Sequence, residues 1–278
     1  MSVHFLTQYR NPLAYPAGYA PGFDPNHVAS RGVGPGNGFS AVADGRNYVN
    51  LVRGDVGTTA TLPAAKIYGT VGPANLHTAI NDALRFSGHS AVTNTSTTMA
   101  AIFICWGFPN ANGLIVCSSV NDTGGGSSGI ALNIGTAGAL QYAYRWVAAN
   151  SSGLTVALNV PYFAAASGDA STINFVLVNL LSGQTLTASI SAGGTPQASD
   201  GTYIVGGNLS QAPNLSIAAV MHSTKRTGLP ELRQWAADPW SFWYPNPGDN
   251  WTAAQVGGLS KLVRYPGRMA GYGGGLAA

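Results

Sequence analysis

Apolar residues in this chain come in short runs bounded by Gly, Pro, Asn and Ser, with a strand-like pattern over most of the length. Met99–Phe108 (MAAIFICWGF) is an unbroken apolar run, as expected of a strand covered on both faces. Further strands are predicted at Ile130–Ile134, Ala139–Trp146, Leu154–Leu158, Ile173–Leu181, Leu186–Ile190 and Ile217–Met221, with weaker signals at Tyr48–Val52 and Ala65–Tyr68. Tyr142, Tyr144 and Trp146 alternate and share a face; such a row is either core or a platform for stacking sugars. The loop Pro109–Gly113 predicts a hairpin between Met99–Phe108 and Leu114–Cys117, which would set Cys105 opposite Cys117. Two free buried thiols fit that register, and so does a disulfide if the site is non-hydrogen-bonded. Leu76–Leu84 reads equally as a helical turn or as an irregular lead-in to a strand at Phe86.

One stretch departs from the strand period. Leu229, Leu232, Trp235 and Ala236 recur at three- and four-residue spacing after Gly228-Leu229-Pro230-Glu231, which reads as a helix start. Pro239 ends this helix. Trp240, Phe242, Trp243 and Tyr244 follow at once, and together with Trp235 they form an aromatic cluster that needs the outside or edge of a sheet to cover.

A core strand, a short helix L-x-E-L-x-x-W and then D-P-W-S-F-W resembles the closing segment of concanavalin A-like, laminin-G-type jelly-roll domains, in particular those of bacteriophage virion proteins. Leu84–Gly88 is similar to that family's F-x-G strand, Thr98–Phe108 to its next apolar strand, and Thr202–Gly207 to the strand before the last. The resemblance spans about residues 75–244, and Asp238 stands where the phage-like pattern has Asn. It implies an all-β, two-sheet antiparallel jelly-roll sandwich with one short helix near its C-terminal end. It also implies a virion structural protein (capsid decoration, head fibre or tail component) that associates with neighbouring capsid or tail subunits as an oligomer. Calcium is a ligand of many such domains, and Asp122, Asp169 and Asp200 on predicted loops are the candidate oxygen donors; no motif holds them together, and no cofactor is expected. The alternative function is a stand-alone carbohydrate-binding module for a host-surface glycan.

Pro and Gly crowd both ends. Residues 1–45 read as an arm, 46–245 as the sandwich and 246–278 as a tail. Tyr9, Tyr15, Tyr19 and Phe23 punctuate the arm, which is either a floppy leader or an extended segment anchored on a neighbouring subunit by those rings. The N-terminus lacks an apolar run behind a basic segment, and no window approaches the length of a membrane span; synthesis in a host cytoplasm and no membrane partner are expected.

Charged residues are only 8% of the 278, with a net charge of +3 and scattered basic residues, so nucleic-acid binding is not expected. Hydrophobic residues at 45% suffice for a sizeable core. Glycosidases of the concanavalin A-like fold generally need two carboxylates held about 5–10 Å apart. This chain has one glutamate, Glu231, and its aspartates show no i,i+2 or i,i+4 pairing. No P-loop occurs, and the five histidines show no metal-ligand spacing. The expectation is therefore a protein without catalytic residues.

Overall fold

The computed structural model describes residues 13–244 apart from 17–20, 23, 35–36, 60, 70, 80–81, 91–94, 110–112, 119–128, 145–147, 195, 197–199 and 208–213. The chain divides into two units at Tyr244/Pro245, and the described residues all belong to the first. The expectations for Tyr9, Tyr19, Phe23, Asp122, Trp146 and the tail lie outside them.

The described residues form strands β1 Phe39–Asp44, β2 Asn47–Asn50, β3 Ala64–Tyr68, β4 Gly72–His77, β5 Leu84–Phe86, β6 Ser96–Cys105, β7 Gly113–Cys117 and β8 Ile130–Ile134. They continue with β9 Ala139–Tyr144, β10 Ala148–Thr155, β11 Pro161–Asp169, β12 Thr172–Asn179, β13 Thr185–Ser191, β14 Tyr203–Val205 and β15 Leu215–Ser223, and close with helix α1 Leu229–Ala237. All pairings are antiparallel, in two sheets. One has nine strands, ordered β13-β12-β11-β6-β15-β1-β2 with β4 and β3 joined at β15; the other has six, ordered β10-β9-β8-β7-β14-β5. This is the two-sheet antiparallel sandwich with one helix near its C-terminal end.

Alternation explains the layers. Along β6, Met99, Ala101, Phe103 and Cys105 enter the core between the sheets. Ala100, Ile102 and Ile104 lie on the opposite side, under α1 and the aromatic turn. The nine-stranded sheet is thus apolar on both faces, which is why β6 reads as an unbroken run.

Two local expectations are corrected, and one open reading is resolved. β6 and β7 do not form a hairpin: β6 pairs β11 and β15, whereas β7 pairs β8 and β14 in the other sheet. Cys105 and Cys117 are both buried and are not joined by a disulfide. Sequential runs joined by a short loop can cross between sheets as readily as fold back, and periodicity does not distinguish the two. In Leu76–Leu84, left open between a helical turn and a lead-in to a strand, β4 ends at His77, Asp82 lies in a 3-10 turn with its N–H on Ala79 O at 3.4 Å, and β5 begins at Leu84. The segment predicted at Leu154–Leu158 overlaps only the last two residues of β10, the strand being completed by Ala148–Gly153.

Three strands were not anticipated, one of them β4 Gly72–His77, which pairs β3 and β15. Phe39–Asp44, placed by its Gly-rich flank in the arm, is β1, paired with β15 and β2. Pro161–Asp169 (PYFAAASGD) is β11, central between β6 and β12. Its alanines carry little strand propensity, but they let the sheet take a helix on one face and a core on the other.

Among the described residues no helix is long and apolar enough to cross a membrane.

Candidate functional site

The residues singled out in the sequence go to three places. The Tyr15 ring meets Trp240 and Tyr244 of the same chain edge-on, at centroid distances of 5.5 and 5.6 Å. It lies against the backbone of Gly72, where a Cβ would fall 2.5 Å from the ring. Further along, Gly22 N–H donates to Trp243 O at 2.8 Å, and the His27 ring packs on Trp235 and Phe242. The described part of the arm is a strap on its own domain. Tyr15→Ala is expected to lower the melting temperature by several degrees, since an aromatic pair contributes about 1 kcal/mol beyond its buried area; thermal denaturation checks it, and an unchanged midpoint would show that the strap is not a stabilising contact.

The closing cluster forms the third layer. Trp235, Trp240, Phe242 and Trp243 are all buried on the outer side of the nine-stranded sheet. Trp235 packs on Phe163 of β11 at 5.0 Å, and Trp243 Nε1–H donates to Val220 O of β15 at 3.2 Å. Gly228 caps α1 with its N–H on Glu231 Oε2 at 2.7 Å, and Glu231 also meets Arg31.

Tyr142 and Tyr144 are core residues and offer no ring face to a sugar. Both point between the sheets, Tyr142 edge-on to Phe175. Tyr142 O–H donates to Thr97 Oγ1 at 3.3 Å and Tyr144 O–H to Asp169 O at 3.2 Å. Burial raises both phenol pKa values above the ordinary range. The alternation was right, but it cannot say which face is covered.

Buried histidines organise the interior. His77 lies between Tyr48, whose hydroxyl is 3.0 Å from Nε2, and Asp82, whose backbone oxygen is 3.0 Å from Nδ1. His222 lies between Thr97 Oγ1 at 2.8 Å and Tyr203 O–H at 3.0 Å. Thr97 Oγ1–H donates to Ser223 O at 3.0 Å, so Thr97 accepts from Nε2–H and Tyr203 donates to Nδ1. Burial drives the His222 pKa down to about 3. Both rings are closed in and hydrogen-bonded, which makes them parts of the core.

Asp169 accepts from Ser171 and Thr172 and pairs with Arg226, and the Ser171 and Thr172 hydrogen bonds hold its carboxyl down at about 2. Asp200 accepts from Thr202 N–H at 2.9 Å. Among the described residues no three His, Cys, Asp or Glu side chains gather as a metal site.

The remaining place is the outer face of the six-stranded sheet, which sequence reasoning missed. Leu132 and Ile134 enter the core, so Asn133 between them faces outward, as do Ala131 and, across β9, Gln141 and Ala143. Leu114 on β7, Asn133 on β8, Gln141 on β9 and Ser151 on β10 stand opposite one another in register, a lateral row across four strands. Beside it runs a row of small residues, Cys117, Ala131 and Ala143. Asn133 is 0% exposed, yet neither of its amide atoms has a hydrogen-bond partner; Gln141 Oε1 is likewise buried and unpaired. A buried amide without partners is destabilising by about 1–3 kcal/mol per group, so Asn133 is a costly residue on this face. The signal available in the sequence was the polar residue inside IALNI, an otherwise apolar strand.

No family model matches this chain, and no curated protein sequence does. Solved structures are similar to it in fold. A mutant GH54 α-L-arabinofuranosidase soaked with 4-nitrophenyl α-L-arabinofuranoside is 13% identical, covering 71% of this chain and 51% of that one with a TM-score of 0.55. The same enzyme soaked with a cyclic sulfate inhibitor matches at 13% identity, 71% and 51% coverage and a TM-score of 0.50. Trypanosoma rangeli sialidase is 12% identical over 72% of this chain, with a TM-score of 0.48, and this chain spans 32% of its length. At these identities the likeness is one of fold, a sheet-rich sandwich compatible with a jelly roll. It withdraws the expectation that the chain is not an enzyme, because a solved structure of similar fold, the GH54 α-L-arabinofuranosidase, is a glycoside hydrolase, while the likeness itself is one of fold alone. The inference from carboxylate spacing failed in principle: catalytic groups are assembled in space from separate strands and loops, and spacing along the chain does not exclude them.

Proposed function

We propose that this protein is a structural component of a bacteriophage virion that displays its sandwich as a lectin-like, glycan-recognising module. The observation that carries the reading is the closing segment. Its L-x-E-L-x-x-W and D-P-W-S-F-W motifs resemble the ends of virion jelly-roll domains, and its rings build one layer with the strap residue Tyr15. Attachment to neighbouring capsid or tail subunits, and to further copies of this chain, is assigned to residues 1–12 and 246–278, which carry the remaining Pro, Gly and ring content of the ends. The test is mass spectrometry of gradient-purified particles. The chain is expected in the particle, and deletion of residues 1–12 is expected to lower its incorporation roughly tenfold while the sandwich melts as before. Absence of the chain from particles would overturn the reading.

A second reading, glycoside hydrolysis, is favoured by the fold shared with the GH54 enzyme. Release of 4-nitrophenol from 4-nitrophenyl α-L-arabinofuranoside by the purified chain would establish it.

A further inference from the structure

We infer that the N-terminal strap is released by acid: protonation of His27 detaches residues 13–30 from the aromatic layer while the sandwich stays folded. Neither the virion reading nor the hydrolase reading is needed for this step.

The strap is held to the layer at three places. Tyr15 meets Trp240 and Tyr244. Gly22 and Asp24 donate their backbone N–H groups to Trp243 O and Phe242 O, at 2.8 and 3.3 Å. The His27 ring lies edge-on against Trp235 and Phe242, at centroid distances of 4.9 and 5.4 Å. Beyond these contacts the chain is fixed separately. Ser223 O–H donates to Arg31 O at 2.9 Å and Thr224 N–H to Gly32 O at 3.1 Å, which ties it to the end of β15. Gly32, at a φ of +107°, is thus a natural pivot, and the strap can leave the layer without disturbing β1.

His27 is the group among these contacts whose charge changes near neutrality. Its place in the strap requires the neutral ring. Ala29 N–H donates to Nδ1 at 3.1 Å, so Nδ1 must carry a lone pair. A proton there would set two donors face to face, uncap the turn Val28–Ser30 and place a charge against two apolar rings. The titratable and charged groups on the elements around it are Glu231 and Arg233 on α1, Asp238 and Tyr244 in the aromatic turn, and Asp24 and Arg31 on the strap itself. Glu231 is engaged with Gly228 N–H and Arg31, Arg233 with Thr187, and Asp24 with Asn26 N–H. Burial alone lowers the His27 pKa, to about 4, so none of these groups steadies the imidazolium.

A released strap returns His27 to its ordinary value of 6.5, so the open population should rise roughly twentyfold between pH 7 and pH 5. His222 titrates over the same range, but it lies inside the sandwich between Thr97 and Tyr203 and acts on global unfolding instead.

The experiment is amide hydrogen exchange of the full chain at pH 7, 6 and 5, with rates corrected for the intrinsic effect of pH. The Gly22, Asp24 and Ser30 amides are expected to be less protected than those of β6 and β11 at pH 7, and to lose roughly a further twentyfold by pH 5. His27→Phe keeps an apolar ring at the site and should abolish that loss. His27→Asn keeps an acceptor for the cap without a titrating ring, and reads the same effect if His27→Phe fails to fold. His222→Gln should leave the loss in the strap unchanged. Strap protection that holds from pH 7 to pH 5 would overturn the inference, and would mean that the rings of Trp235 and Phe242 accommodate the imidazolium. So would a loss that persists in both His27 variants, or a strap that opens only when β6 does.

Discussion

Lowering the pH from 7 to 4 should destabilise the sandwich by about 3 kcal/mol through His222 alone. Burial holds the folded-state pKa of His222 near 3, against an ordinary value of 6.5. Between those values the unfolded chain binds a proton that the folded chain refuses, so stability is full above pH 6.5 and drains as the pH falls towards 3. His27, lowered to about 4 by burial against Trp235 and Phe242, acts in the same direction. Asp169 joins only at the acid end, as the pH drops below 3.8 towards its folded value of about 2. Denaturant unfolding at pH 7, 5.5 and 4 would show the slope. In His222→Gln, proton uptake on unfolding in this window should fall by about one. The variant should be less stable at pH 7, because Thr97 and Tyr203 lose a well-placed partner, yet lose less on acidification. An acid limb of unchanged slope in His222→Gln would mean that His222 takes up a proton as readily folded as unfolded.

The reach of the sequence follows from what each element reports locally. Strands covered on one or both faces announce themselves, as β6, β8, β12 and β15 did, and α1 was legible because its period and its Pro–Glu start agree. β11 was invisible because alanines in PYFAAASGD carry no strand signature; its place comes from what packs on it. β1 was hidden by the Gly-rich run before it. Pairing partners were the weakest point: a loop of ordinary length joins β6 to β7, and nothing in Pro109–Gly113 says that the chain changes sheets there. The same limit governs the candidate site. Tyr142 and Tyr144 were recognised as one face, but only the second sheet decides that this face is the core. Asn133 was passed over as one polar letter in an apolar strand, and that it is buried with both amide atoms unpaired, opposite Gln141, is set by what covers the sheet.

Trp235→Ala should destabilise the protein by about 3–5 kcal/mol, the largest loss expected of a single ring in the closing layer. Trp235 touches Phe163 of β11, Phe242, Trp243 and His27, so it joins the nine-stranded sheet, the aromatic turn and the N-terminal strap. Its Nε1–H donates to Pro239 O at 3.1 Å, holding the turn against the end of α1. Removing it leaves a cavity bounded by elements fixed elsewhere, which therefore closes poorly. The neighbouring tryptophans provide a graded comparison. Trp243→Phe keeps most of the ring but gives up the hydrogen bond to Val220 O, a loss of about 1 kcal/mol. Trp240 Nε1 is buried with no partner, so Trp240→Phe removes an unpaired donor with little of the ring and should be close to neutral. Equilibrium unfolding of the three variants should rank them Trp235→Ala, Trp243→Phe, Trp240→Phe from most to least destabilised. A Trp235→Ala protein as stable as the parent would mean that α1 and the turn lie on the sheet without supporting it, and the closing segment could then not be the layer that fixes the strap.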